Sequence, residues 1–123
     1  MRSLITAAAT FVLILAMPAL ASEDLFDGDW KGQGSSESSE CPDFDFWVSV
    51  KGDQVRGKAR QTGTDYEING ILSAKGSFSG TVTYMLFDIA ELKGNIGVEQ
   101  GVGNWKALKG PDCSGSFIVY KLG

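Results

Sequence analysis

Apolar and polar residues alternate along most of this chain with a period of two. In residues 77–84, Phe78, Gly80, Val82 and Tyr84 fall on one face and Ser77, Ser79, Thr81 and Thr83 on the other. In residues 55–60 the split is Val55, Gly57 and Ala59 against Arg56, Lys58 and Arg60. Successive side chains of a strand point to opposite sides, so this alternation marks antiparallel strands with one face buried and one in water. Seven segments of this kind carry a central glycine, at 32, 57, 70, 80, 94, 103 and 115. An eighth, residues 44–50, lacks glycine but sets Phe44, Phe46, Val48 and Val50 against Asp45, Trp47 and Ser49.

Short strands at this rhythm predict a sandwich or a barrel. Every connection is short enough for a hairpin. The predicted fold is therefore all-β: an eight-stranded antiparallel up-and-down meander barrel, closed by one disulfide. An inward glycine on nearly every strand lets the strands bend sharply enough for a small sheet to close, which removes its free edges. The same glycines leave interior space that a ligand can use, while Trp30, Trp105, Phe44, Phe46, Phe78, Phe117 and Tyr84 are enough aromatic volume to fill it.

The two cysteines test this topology. If the first strand runs up, Cys41 lies between the first and second strands at the top, and Cys113 opens the eighth strand, also at the top. Their bridge requires the first and last strands to be neighbours. In an exported chain an even cysteine count favours the bridge, which would contribute about 4 kcal/mol in the chain-entropy account. Two free thiols, as metal ligands or a nucleophile, are the alternative, and the chain has no histidine to accompany them.

Residues 1–21 stand outside the pattern. Arg2 precedes an apolar run from Leu4 to Ala16, and Ala19-Leu20-Ala21 has the small-x-small form of a cleavage site. This predicts a signal peptide over 1–21, cleavage after Ala21, and a periplasmic or secreted domain over 22–123. A retained N-terminal anchor is the alternative. Removing residues 1–21 from the 123 leaves a single domain of 102. It carries ten basic side chains, Arg2 being lost, against fifteen acidic ones. That balance, with no basic stripe, argues against nucleic acid and against anionic membrane surfaces. No stable membrane insertion is expected after cleavage, and the chain is expected to be a monomer or a weak dimer.

Loops at the predicted top end are the longer and odder ones. Residues 35–42, SSESSECP, are polar and acidic; 107–112, ALKGPD, contain Gly-Pro; and 84–88, YMLFD, put large apolar residues where a turn should be polar. Barrel mouths are favoured ligand sites. The candidate ligand-binding residues are Tyr84, Met85, Leu86 and Phe87, with Tyr66, Phe44 and Trp105 beneath them. Met85 to Phe87 have three readings: a plug folded over the mouth, a ligand gate, or a partner contact. Elsewhere, pairing Val50 with Val55 sets Trp47 opposite Lys58 and Asp45 opposite Arg60, predicting a cation–π contact and an ion pair on the outer face. The outer face of the last strand, Ile118, Tyr120 and Leu122, is apolar; Leu25 and Phe26 would cover it, or a second copy would.

No catalytic residues are assigned. Without histidine, a Ser-His-Asp or Cys-His system cannot be assembled. No carboxylate pair has acid–base spacing, Glu37 and Glu40 lack the spacing of a dedicated calcium loop, and no phosphate-cradling loop precedes a helix. Neither metal nor cofactor is expected, and the protein is not expected to be an enzyme.

The segment DGDWKGQG, with Gly28, Trp30, Gly32 and Gly34, resembles the G-x-W opening of lipocalins, avidins and related barrels. Its G-x-W-x-G-x-G form is similar to the opening of the nitrobindin haem proteins, which hold iron through a histidine this chain lacks. Over most of its length the chain looks like a small secreted bacterial lipocalin/calycin-like β-barrel domain. That resemblance implies a barrel and leaves three functions open: a carrier of a small apolar or amphipathic ligand at one open end; a protein-binding module, such as an inhibitor of an envelope or foreign hydrolase, presenting loops 35–42 and 107–112; or a structural envelope domain without ligand.

Overall fold

The computed structural model describes residues 25–123. The predicted signal peptide and its cleavage site lie outside the described residues. Eight strands follow one another: β1 Gly28–Ser36, β2 Phe44–Lys51, β3 Gln54–Gln61, β4 Thr64–Leu72, β5 Ser77–Tyr84, β6 Phe87–Ile96, β7 Gln100–Ala107 and β8 Ser114–Lys121. Each pairs antiparallel with the next, and β1 pairs with β8, so the sheet is a closed barrel in meander order. The Cys41–Cys113 disulfide is formed, with the two Cα atoms 6.0 Å apart.

The alternation sets the register. Val50 pairs with Val55, and Trp30, Phe46, Val48, Val55, Ala59, Ile68, Leu92, Phe117 and Val119 form one buried interior. A slip of one residue would expose this whole set. The single irregularity lies between β5 and β6, where Val82 pairs with Ala90 but Thr83 pairs with Asp88. Ile89 is therefore an extra residue, and both Ile89 and Ala90 turn partly inward.

Most of the inward glycines serve the aromatic rings. Gly32 pairs with Phe46 and Gly34 with Phe44, and in each case the ring lies over the glycine so that a Cβ there would overlap it. Phe117 covers Gly103, its direct partner, and Gly94 beyond; Phe78 leans over Gly70 and Gly80. All of these glycines have ordinary negative φ. What they supply is the missing Cβ, which lets a ring lie flat against the barrel wall. Edge-on contacts join the rings, Phe46 to Phe117 at 5.7 Å and Phe78 to Phe117 at 6.4 Å between centroids. The lower and middle interior is thereby filled, and the void remaining there is about 30 Å³, room for about two water molecules at most. In this part of the barrel the glycines make room for rings, not for a ligand.

Three expectations for the surface are corrected. Arg60 lies opposite Asp45, but its guanidinium bonds Asp65 on β4 at 2.8 Å. Trp47 lies opposite Lys58, but the ammonium over its ring is that of Lys31 on β1, 5.9 Å from the centroid. An outward side chain has a neighbour on either side, and in both cases the strand beyond the predicted hairpin supplies the partner. Phe26, expected over the outer face of β8, is buried in the core instead, and its carbonyl accepts the Trp30 indole N–H at 3.0 Å. It closes the lower end of the barrel. Tyr120 and Leu122 stay exposed.

Candidate functional site

Strand direction sorts the connections. Residues 52–53, 73–76 and 97–99 lie at the lower end, with both ends of the described chain; residues 37–43, 62–63, 85–86 and 108–113 lie at the upper end. The upper loops are stitched together. The disulfide ties 37–43 to 108–113. The Glu37 amide donates to the Ser114 carbonyl, and the Leu108 amide to the Ile89 carbonyl. The Gln61 side-chain amide donates to the Pro42 carbonyl at 2.9 Å.

Inside this ring of loops lies an open cavity of about 400 Å³. Its position follows from the upper inward residues. Ala59, Val82, Ala90 and Ala107 are small, and no ring from an opposite glycine covers them. Below them lies Leu92, which lines both this cavity and the packed interior beneath it.

Of the seven predicted ligand residues, Phe44, Tyr66, Tyr84 and Trp105 line this cavity. Phe44 lies over Gly34 and meets Trp105 edge-on, with centroids 5.3 Å apart. Trp105 donates its indole N–H to the Ser35 carbonyl at 3.0 Å, reaching over Gly115 on β8 to β1. Tyr66 and Tyr84 form a second ring pair, at 5.3 Å, on β4 and β5.

Met85, Leu86 and Phe87 are not brought to the cavity. They are 76%, 93% and 59% exposed, so they neither plug the mouth nor close over it. Met85 and Leu86 are the two turn residues of the β5–β6 hairpin, and Met85 has φ +60°, a conformation that a bulky side chain rarely adopts. Phe87 is stacked under the Lys109 ammonium, 4.5 Å from its ring centroid.

The sequence did not single out Lys109, Gln61, Pro42, Pro111 or the disulfide itself as cavity walls. The run of small inward residues at the upper strand ends was the signal that could have found the cavity. Glu40 and Lys109 are the charged residues lining it. Nearby, the Arg60 hydrogen bond holds the Asp65 carboxyl below the usual aspartate value. Among the described residues no group of three or more carboxylate or thiol side chains converges as a metal site would require. A broader hollow of about 510 Å³ lies on the outer wall across β2, β1, β8 and β7, with polar groups such as Ser35, Asp45, Asn104 and Ser116 along it. It lacks the apolar enclosure of the mouth.

A closed antiparallel barrel of eight strands, filled below and open at one end, is consistent with the lipocalin/calycin-like class. No protein-family model matches the chain, and no curated protein matches it.

Proposed function

We propose that this protein is a non-enzymatic binding protein that takes a small apolar or amphipathic ligand into the upper mouth of the barrel. One observation carries this reading: a cavity of about 400 Å³, walled by apolar and aromatic side chains, at the end where a disulfide and several loop hydrogen bonds hold the rim. Preformed apolar concavities with a few polar groups at the edge are the usual form of small-molecule sites. The disulfide fits an oxidising compartment, in keeping with export to the periplasm or beyond. Among the described residues no helix is long and apolar enough to cross a membrane.

Native mass spectrometry of the oxidised protein, isolated from its own compartment, tests this reading. A bound mass on the order of a few hundred daltons, released on denaturation, is expected for a cavity of this size. The same species should be missing from Ala107→Trp, which fills the mouth from its wall. Protein that carries no such mass, or a bound mass that Ala107→Trp retains, would remove the reading.

The exposed Met85-Leu86-Phe87 tip favours a second one, a protein-binding module that meets its partner with this hairpin and the disulfide-tied loops. Replacing all three with Ser separates the two. A carrier keeps its ligand, whereas a protein-binding module loses its partner.

A further inference from the structure

We infer that the ligand of the mouth is a compact planar aromatic molecule and not an alkyl chain. This inference rests on the reading of the mouth as a small-molecule site. The first observation is the placement of aromatic rings. In the ring order of the barrel, β4 and β5 stand opposite β8 and β1. Tyr66 and Tyr84 form one pair on the first wall. Phe44 and Trp105 form the other against the second wall, Phe44 over Gly34 on β1 and Trp105 over Gly115 on β8. The cavity lies between the two pairs.

The Trp105 indole is fixed by its bond to the Ser35 carbonyl, and Gly34 fixes the plane of Phe44. One wall is therefore preorganised, and it costs little ordering on binding. The phenol oxygens of Tyr66 and Tyr84 have no side-chain or backbone partner among the described residues. They are available to a polar substituent on a ring held between the walls.

Depth is the second observation. Along β3, β5 and β7 the cavity wall takes in two inward residues: Ala59 and Gln61, Val82 and Tyr84, Trp105 and Ala107. At the rise of a strand, two residues apart, this makes a cup roughly 7 Å deep below the rim loops. Beneath it the interior is packed. An extended alkyl chain has no channel to enter and must coil, whereas a fused ring system meets aromatic side chains on both sides.

The test compares two probes of similar hydrophobicity, 2-naphthol and 1-octanol, by isothermal titration calorimetry on the oxidised protein. Offset or edge-on contact with two ring pairs predicts that 2-naphthol binds about tenfold tighter than 1-octanol. Tyr66→Leu/Tyr84→Leu keeps the wall apolar at the partly exposed rim, and its folding is checked by thermal unfolding. It should weaken 2-naphthol about threefold, half of the tenfold preference on a free-energy scale, and leave 1-octanol unchanged. Phe44→Leu repeats the test on the opposite wall if the tyrosine variant is unfolded. Equal or tighter binding of 1-octanol, or a preference undiminished by loss of the tyrosine rings, overturns the inference while leaving the mouth a ligand site. Binding of neither probe removes the small-molecule reading together with it.

Discussion

Gly115→Ala isolates what an inward glycine does in this barrel. Strand propensity alone predicts a gain, since glycine within a strand costs about 0.5–1 kcal/mol relative to alanine. The structure predicts a loss. A methyl group at 115 would overlap the Ser35 carbonyl and stand 2.8 Å from the Trp105 indole nitrogen, the two partners of the hydrogen bond that passes over this glycine. Neither partner can yield cheaply. Ser35 belongs to the β1–β8 seam, where it pairs with Ser116, and Trp105 is buried, packed against Phe44 and paired with Leu92. The overpacking costs about 1–3 kcal/mol, and the lost hydrogen bond about 0.5–1.5. Set against the propensity gain, the net loss is about 2 kcal/mol, or a fall in Tm of about 10 °C for a domain of this size.

Urea unfolding of the oxidised protein gives the free energy. Trp105→Phe provides the control, because it removes the indole N–H and leaves the glycine. If the methyl group acts through the indole, Gly115→Ala should cost less in the Trp105→Phe background than alone, a coupling between neighbours that a double-mutant cycle measures. A neutral or stabilising Gly115→Ala, or strict additivity with Trp105→Phe, would show that the glycine is not there for the tryptophan.

The other predictions are more direct. Met85→Gly should raise stability by about 0.5–1 kcal/mol in urea unfolding, because glycine adopts the positive φ of this turn without strain. Phe26→Ala should cost about 3–5 kcal/mol in the same assay, by emptying the lower end of the core; a change under 1 would place Phe26 on the surface instead. Reducing Cys41–Cys113, which spans 72 residues, should lower stability by about 4 kcal/mol and weaken probe binding at the mouth even where the barrel stays folded. The Arg60–Asp65 pair should make a small contribution that is present at neutral pH and fades as pH falls through the lowered Asp65 value, since the folded state holds its proton less tightly than the unfolded one. Asp65→Asn should flatten that part of the pH–stability profile.

Much of the barrel was readable from period-two alternation because burial on one face leaves a strand a single register. Val50 opposite Val55 then put Trp47 beside Lys58 and Asp45 beside Arg60, and the structure has both pairs in register. The chosen contacts were not readable. Lys31 and Asp65 compete from the strands on the far side, and side-chain reach decides between them. The glycines were legible as bends and as interior space; that aromatic rings take up this space depends on which residue faces which across a strand pair. The mouth was legible as an end. Its cavity was hidden in four unremarkable residues, Ala59, Val82, Ala90 and Ala107, whose smallness matters only because nothing else fills the space above them. The Met85 turn misled in the other direction, since large apolar residues suggest burial and a two-residue hairpin turn has no length to fold back.

Both ends of the described chain lie at the lower rim, where the Leu122 amide donates to the Asp29 carbonyl on the neighbouring strand. This gives the molecule a polarity that any attachment inherits. A surface, a fusion partner or a label joined where the described chain begins or ends sits a full strand away from the upper rim, about 25 Å along an eight-residue strand before tilt is counted. Held at Leu25, the first described residue, the barrel would turn its mouth outward like a cup on a stem and present the Met85 hairpin to whatever approaches. The same geometry suits a sensor: immobilised through Gly123, the barrel keeps the Trp105 wall unobstructed.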